Sequence, residues 1–137
     1  MHGLKGERVL MRIHIGERDK IDGKPLYEEI VQLLRARHCA GATVFRGIMS
    51  FGATARLHTD RFLELSTDLP IVVECVETED KIQAILPELD RMIGGGLITL
   101  ERAKVIMYRP HGDADAASAE RAGLDASIDI TGSWEAR

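Results

Sequence analysis

Two segments with the spacing of amphipathic helices, each lying between apolar strands, constrain the fold of this chain most strongly. The first is predicted over residues 25–38, after a polar loop at 16–24, and Pro25 suits its first turn because a missing N–H costs nothing there. The second begins after Thr78, a favoured N-cap residue, and ends at the triglycine at 94–96. Its single apolar stripe consists of Ile82, Ile85, Leu86, Leu89, Met92 and Ile93.

Four strands are predicted around these helices. Residues 7–15 alternate between apolar and polar side chains, which indicates a strand with one buried face. Residues 70–76 are rich in β-branched side chains, as is typical of a central strand covered on both sides. The second strand is expected at 42–49 and the fourth at 97–108, with a bulge at 101–102. The order predicts an α+β, ferredoxin-like βαββαβ fold, a four-stranded antiparallel sheet with two helices on one face.

The sheet face away from the helices also carries apolar side chains. An exposed apolar face on a domain of this size is typical of an association surface, so we expect a symmetric oligomer. The candidates for this face are Leu10, Phe45, Val72, Val76 and Ile106.

The composition changes abruptly after residue 109. Residues 1–109 carry equal numbers of acidic and basic side chains, whereas residues 110–137 are rich in Ala, Asp, Gly and Ser and carry the whole net charge of -4. We expect one domain over 1–109 and an acidic, mostly flexible tail over 110–137. Within the tail, Ile128, Ile130 and Trp134 can alternatively form a short strand that docks on the domain.

The composition also argues against several classes of protein. A neutral domain without a basic patch does not favour nucleic-acid binding. Cys39 and Cys75 lack C-x-x-C spacing, which argues against a disulfide scaffold or a cysteine zinc site. There is neither a long apolar run nor the apolar region of a signal peptide, so we expect a cytoplasmic protein. The usual hydrolase, zinc-protease and P-loop motifs are absent, which favours a protein that is not an enzyme.

A long connection, 47–67, follows the second strand. Connections of this length inside a compact domain are disproportionately functional. One helical turn is predicted inside it at 60–65. We expect its contact with a partner to involve Phe51, Arg56, His58 and Asp60.

Two short motifs admit both a ligand-binding and a structural interpretation. The triglycine Gly94, Gly95 and Gly96 can cradle a phosphate with its N–H groups, or it can simply end the second helix. His58 and Asp60 can contribute to a metal site, or they can belong to a hydrogen-bonded loop cluster. Because a metal site usually needs three or four ligands, the loop cluster is favoured.

Four linked motifs resemble a known family. They are GERDKIDGKPLYEEIV, GATVFRGIMSFG, RLHTDRFLELSTDLPIVVE and MIGGGLITLE, and they lie in register over residues 7–108. Together they resemble a bacterial and archaeal family of uncharacterised proteins within the PII-like superfamily of nitrogen-regulatory and related signalling proteins. The resemblance implies a compact homotrimer, ligand clefts between subunits, and a mobile loop, here 47–67, that reports the ligand state to a partner.

The resemblance also implies which residues bind the ligand. PII proteins hold adenine nucleotides with the start of the mobile loop, the glycine turn and basic residues that end the fourth strand. The corresponding residues here are Arg46, Gly47, Gly94, Gly95, Gly96 and Arg109.

Two charges of the PII pattern are missing from this chain. Leu97 replaces the lysine that follows the glycine turn, and Met107 stands at one of the late basic positions. A ligand with fewer charges, such as a monophosphate or a cyclic nucleotide, therefore fits the pattern better. Alternatively, Arg46, Arg56 or Lys24 supplies charge from a different direction.

The sequence thus favours a trimeric, non-enzymatic regulator. We expect it to bind a small anionic ligand, with an adenine nucleotide as effector and no required cofactor, and to act on a membrane transporter or another regulated protein. The alternative is a trimeric protein that binds divalent metal ions, like the metal-tolerance branch of the superfamily, with His14, His58 and Cys75 as candidate ligands. A small hydrolase or transferase on this fold has least support, because fold alone does not give function.

Overall fold

The computed structural model describes residues 4–53, 57–59 and 68–110. The predicted helical turn at 60–65 and nearly all of the predicted tail lie outside these residues. Neither described helix is long and apolar enough to cross a membrane. The helices are α1 (Leu26–Ala36) and α2 (Glu79–Met92), and the strands are β1 (Gly6–Gly16), β2 (Lys20–Ile21), β3 (Lys24–Pro25), β4 (Thr43–Arg46), β5 (Met49–Ser50), β6 (His58–Thr59), β7 (Pro70–Glu77) and β8 (Leu97–Val105).

A four-stranded antiparallel sheet with the order β4–β7–β1–β8 forms the body of the domain. β1 lies inside the sheet and pairs with β7 on one side and β8 on the other. With α1 and α2 on one face, this is the ferredoxin-like fold predicted from the sequence. The pairing of β1 with β8 runs without interruption from Gly6 opposite Val105 to His14 opposite Leu97, so the expected bulge at 101–102 was wrong.

The hydrophobic core lies between one face of this sheet and both helices. Alternation along β1 and β7 places every second side chain on this face, so the pleat of the strands separates core from surface. The helices cover it with apolar residues three and four positions apart. The buried residues are Met11, Ile13, Ile15, Ile71, Val73 and Cys75 from the sheet, and Leu26, Ile30, Leu34, Ile82, Ile85 and Leu89 from the helices.

A buried carboxylate ties the end of α1 to the start of α2. Glu77, the last residue of β7, accepts hydrogen bonds from the backbone N–H groups of Ala40 and Thr78, each at 2.8 Å. The Lys81 ammonium lies 3.5 Å from the same carboxylate and donates to the His38 carbonyl at 2.8 Å. Thr78 caps α2 as predicted, because its hydroxyl accepts from the Lys81 N–H.

The opposite sheet face combines apolar side chains with one cluster of charges. Arg12 on β1 contacts Glu74 on β7 at 2.8 Å and also contacts Glu101 on β8, so it joins three strands. Ile106 follows the end of β8. The strand register places the other apolar residues predicted for this face on it, namely Leu10, Phe45, Val72 and Val76.

The second predicted strand, 42–49, is divided in the structure. β4 pairs with β7 only as far as Arg46, opposite Ile71. Because β7 begins at Pro70, the chain has almost no strand left to pair with beyond this point. Gly47 still donates to the Pro70 carbonyl at 2.8 Å, and the chain then leaves the sheet. β5 pairs instead with β6, inside the predicted long loop.

The two cysteines lie together in the core, as buried free thiols. Cys39 follows α1, Cys75 lies in β7, and their side chains contact each other through a hydrogen bond. Burial raises the pKa of both thiols, because ionisation would place a charge in apolar surroundings. The rise is large at Cys75, which has the more deeply buried thiol.

We expect these thiols to make the fold less stable at alkaline pH. A thiol whose pKa is higher in the folded state contributes its full stability below the unfolded pKa, which is near 9.0, and loses it as the pH rises towards the folded pKa. Each such thiol lowers the free energy of unfolding by up to about 1.4 kcal/mol per pH unit in this window. Urea unfolding under reducing conditions, from neutral to alkaline pH, measures the slope.

The matched variant is Cys75→Ala, which removes the more deeply buried thiol and keeps Cys39. Its free energy of unfolding should decline less steeply than that of the wild type above pH 9.0. If the free energy of unfolding declined with pH equally steeply in both proteins, the pKa of Cys75 would be the same in the folded and unfolded states.

Candidate functional site

Residues 16–19, here called the loop clasp, hold both ends of the long loop. On the returning side, the Arg18 N–H donates to Asp68 Oδ1 at 2.9 Å, and the Glu17 N–H donates to the carbonyl of the residue after Asp68 at 2.8 Å. On the departing side, Glu17 Oε2 lies 3.2 Å from Arg46 Nε. Neighbouring residues of one short segment therefore anchor the loop where it leaves the domain and where it returns.

The clasp is itself held in place by Asp19. Its Oδ2 accepts from the Gly16 N–H at 2.9 Å, and its carbonyl accepts from the Leu26 N–H at 2.8 Å, at the start of α1. Gly16 lets the Asp68 carboxylate approach closely, because a Cβ there would lie 2.9 Å from Asp68 Oδ2 and would press against that side chain. The clasp is thus fixed between the end of β1, the first helix and the returning loop.

The departing part of the loop forms a short hairpin with an apolar surface. Met49 lies opposite Thr59 and Ser50 opposite His58, so β5 and β6 run antiparallel. Clustered apolar side chains on an exposed hairpin are typical of a surface that binds a ligand or a partner. The exposed large apolar residues of this segment are Ile48, Met49, Phe51 and Leu57.

A cleft of about 570 Å³ lies between this hairpin, the clasp and the glycine turn, and we call it the hairpin cleft. Its volume falls in the range of small-molecule sites, about 300–1,000 Å³. Phe51 and Leu97, which are 69% and 56% exposed, provide apolar walls. The other lining residues are His14, Ile15, Gly16, Asp19, Ser50, Gly52, Ala53, Asp68, Pro70, Gly95 and Gly96.

The register of the sheet brings these segments together. His14 lies opposite Leu97 in the pairing of β1 with β8, and Gly16 lies opposite Pro70 in the pairing of β1 with β7. The glycine turn and the returning end of the loop therefore meet at the same end of β1.

Packing against the described residues explains only one of the three turn glycines. A Cβ on Gly96 would lie 2.6 Å from the His14 carbonyl oxygen, so a side chain there would displace the turn. A Cβ on Gly94 or Gly95 would meet no described atom within 4 Å, and neither residue has a positive φ. α2 ends at Met92, and its C-cap residue Ile93 has extended backbone, so Gly94 and Gly95 follow the end of the helix without forming a left-handed glycine cap. Both are exposed, and a ligand can approach their backbone closely.

The described lining of the hairpin cleft is acidic rather than basic. Asp19 and Asp68 both line it, and His14 is the only described lining residue with a basic side chain. Arg46 and Lys24, two residues expected to supply charge, are each paired with a glutamate, at 3.2 and 3.9 Å. Arg56, the third, lies outside the described residues.

The structure brings some of the residues predicted to bind the ligand into one cavity. Gly95 and Gly96 line the hairpin cleft, whereas Gly94 lines an adjoining cavity of about 210 Å³ that also contains Gly95. Gly47 lies at the base of the loop, where a Cβ would overlap the Pro70 ring. Arg46 is held by the clasp, and Arg109 lies beyond β8, so neither is among the lining residues of the cleft.

The loop residues predicted to contact a partner are only partly described. Phe51 lines the hairpin cleft, and His58 is placed in β6 by its backbone. Arg56, Asp60 and the side chain of His58 lie outside the described part of the chain, so their contact with a partner stays a prediction.

The described candidate ligands of the alternative metal site, His14 and Cys75, do not lie together. Cys75 lies opposite Met11 on the face covered by the helices, whereas His14 lies opposite Val72 on the other face. Within residues 4–53, 57–59 and 68–110, no group of three potential ligands is placed to hold a metal ion.

Comparison with known proteins identifies the family. The model of the DUF190 family, described as an uncharacterised ACR family, matches residues 8–105. The chain belongs to this family. A UPF0166 protein of Aquifex aeolicus (strain VF5) is 37% identical over 100 residues, which is 73% of this chain and 94% of the relative. A UPF0166 protein of Methanocaldococcus jannaschii is 36% identical over 92 residues, which is 66% of this chain and 84% of the relative.

The DUF190 domain has the fold of a PII-like protein, as the sequence motifs imply. The solved structure of CPII, a nitrogen regulatory PII-like protein from Thiomonas intermedia K12 bound to ADP, AMP and bicarbonate, is similar with a TM-score of 0.56. The similarity covers 71% of this chain and 86% of CPII, at 14% sequence identity. At this identity the likeness establishes the shared fold alone.

The sequence patterns did not reveal the clasp or the two aspartates of the cleft. Residues 16–24 read only as a polar loop, although the pair Asp22 and Gly23 is a strong signal for a two-residue hairpin turn. Both have positive φ, 50° and 77°, and they join β2 to β3. No local signal places Asp68 at the clasp, because its hydrogen bond with the Arg18 N–H joins residues 50 positions apart.

Alanine substitutions should separate the roles of the turn glycines. Gly96→Ala places a methyl group against the His14 carbonyl, and we expect it to lower the free energy of unfolding by about 1–3 kcal/mol. Gly95→Ala meets no described atom, and we expect a change within about 0.5 kcal/mol. Urea unfolding of both variants measures the difference. Equal losses would contradict the packing role assigned to Gly96.

Proposed function

We propose that this protein is a cytoplasmic, non-enzymatic PII-like regulator that binds a small anionic ligand, an adenine nucleotide, and signals through the loop 47–67. The observation that carries the proposal is the hairpin cleft, in which the glycine turn and the start of this loop line one cavity. A molecule bound there touches both segments at once.

The cleft offers suitable groups for the parts of a nucleotide. The exposed turn at Gly94 and Gly95, whose glycines have no packing role in the described chain, suits a phosphate held by backbone N–H groups. Phe51 and Leu97 offer apolar surface to a base, and an aromatic side chain can stack on one. The ADP and AMP bound to CPII support this class of ligand.

The clasp connects the ligand to the loop, because its residues line the cleft and also hold the ends of the loop. Gly16 and Asp68 line the cleft, and Asp68 also takes part in the hydrogen bonds that hold the returning end of the loop. At the departing end, an anionic ligand competes with Glu17 for Arg46. A ligand that binds one arrangement of these anchors more tightly shifts the loop towards that arrangement.

The proposal includes a homotrimer with ligand clefts at the subunit boundaries. The sheet face opposite the helices supports association, since it presents Leu10, Phe45, Val72 and Val76 on the side that α1 and α2 do not cover. In the proposed trimer, Arg109 binds the ligand in a cleft that is shared with a neighbouring subunit.

The partner is proposed to be a membrane transporter or another regulated protein. The exposed apolar side chains of the hairpin, Ile48, Met49 and Leu57, suit a protein surface with an apolar groove. Ligand binding and oligomer formation are assigned to residues 1–109, separately from the acidic tail 110–137.

Thermal unfolding of the full chain tests whether the ligand is an adenine nucleotide. A ligand that binds only the folded state adds about 2.7 kcal/mol to the free energy of unfolding at a hundredfold excess over its dissociation constant. We expect at least one of AMP, ADP and cyclic AMP to raise the melting temperature by several degrees. The absence of a shift with every adenine nucleotide would contradict the proposed ligand.

The variant Gly95→Ala then tests the site without disturbing the fold. Its methyl group blocks close approach to the turn, so we expect calorimetric titration to show an affinity for the stabilising nucleotide reduced at least tenfold. Gly41→Ala is the matched control, because a Cβ at Gly41 also meets no described atom within 4 Å and Gly41 lines a different cavity beside Tyr108. Equal affinities in the two variants would remove the glycine turn from the site.

A further inference from the structure

We infer that Asp19 and Asp68 limit the charge of the ligand, so that the hairpin cleft takes a nucleotide with a single phosphate and rejects a triphosphate. This inference rests on the proposed function and specifies the ligand class that the site selects. It assigns the two aspartates a role in specificity.

Both carboxylates are fixed in position by backbone hydrogen bonds. Asp68 Oδ1 accepts from the Arg18 N–H at 2.9 Å, and Asp19 Oδ2 accepts from the Gly16 N–H at 2.9 Å. The Asp68 carboxylate also rests against Gly16, with its oxygens 2.9 and 3.0 Å from the position that a Cβ would occupy. Neither group can turn away from an approaching anion without losing these contacts.

Arg46 and Lys24, the two described residues expected to supply charge to the ligand, are each already paired with a glutamate. Arg46 is paired with Glu17 at 3.2 Å, so a phosphate must displace a carboxylate to reach it. Lys24 lies 3.9 Å from Glu29 on α1. The lysine expected after the glycine turn is replaced by Leu97, which gives the cleft an apolar wall where the PII pattern has a charge.

The balance of attraction and repulsion therefore depends on the number of phosphates. The N–H groups of the turn can hold one phosphate, and this attraction does not grow when further phosphates are added. Each added phosphate brings another negative charge into a cleft that contains two fixed carboxylates. At separations of several ångströms near a protein surface, such a repulsion weakens binding by about tenfold or more, and salt reduces the effect.

Calorimetric titration of the full chain with AMP, ADP and ATP tests the inference. A chelator is present, because divalent cations would neutralise the phosphates of ATP. For the wild type we expect affinity to fall in the order AMP, ADP, ATP, with AMP at least tenfold tighter than ATP. In the wild type, raising the salt concentration should reduce the ratio of the AMP affinity to the ATP affinity, because screening weakens the repulsion between ATP and the two carboxylates.

The variant Asp68→Asn removes the charge and keeps an oxygen that can accept from the Arg18 N–H. We expect it to raise the affinity for ATP about tenfold and that for AMP about threefold or less, so that the ratio of the two affinities shrinks. Asp19→Asn should change the ratio in the same direction. Asp90→Asn is the matched control, because Asp90 is exposed on α2 and does not line the cleft.

The outcomes separate this inference from the function on which it rests. The charge limit is overturned if the wild type binds ATP as tightly as AMP. It is also overturned if the ratio of the two affinities is unchanged in both Asp68→Asn and Asp19→Asn. In either case the proposed function as a nucleotide-binding regulator still stands. A wild type that binds none of the three overturns the proposed function, and the inference with it. A preference for AMP that shrinks in both variants and in salt, and stays constant in Asp90→Asn, supports it.

Discussion

The pairing of β1 with both β7 and β8 is the constraint on which the core and the candidate site both depend. On one face it aligns the apolar residues that α1 and α2 cover. At the end of β1, the same register sets His14 opposite Leu97 and Gly16 opposite Pro70. The glycine turn and the returning loop must therefore meet there, and the clasp follows directly from β1. The core and the candidate site thus rely on one strand.

The order of the main elements could be predicted because it follows from local patterns. Alternation in β1, β-branched residues in β7 and apolar stripes in both helices are readable from neighbouring residues. The division of the second strand could not be predicted, because it depends on where β7 begins and on the contact between Gly47 and Pro70. The bulge expected at 101–102 was wrong, because the register of β8 with β1 continues through both residues, and this register is set by the pairing of distant strands.

The candidate site was predictable only in its main parts. The glycine turn and the long loop are visible as sequence motifs, and the structure places parts of both in one cleft. The electrostatic character of that cleft depends on contacts between distant residues, such as Arg18 with Asp68 and Arg46 with Glu17. The sequence shows which charges of the PII pattern this chain lacks. It does not show that two carboxylates line the cleft or that Arg46 is already paired.

Hydrogen–deuterium exchange of the full chain, with and without AMP, measures most directly whether one cleft couples the glycine turn to the loop. Exchange reports the local opening of backbone hydrogen bonds, which a ligand suppresses where it binds and where it stabilises. We expect AMP to slow exchange in peptides covering 47–53 and 94–97 together, and to leave peptides within α1 unchanged. Protection of only one of these segments, or protection confined to the cavity beside Tyr108, would contradict the coupling.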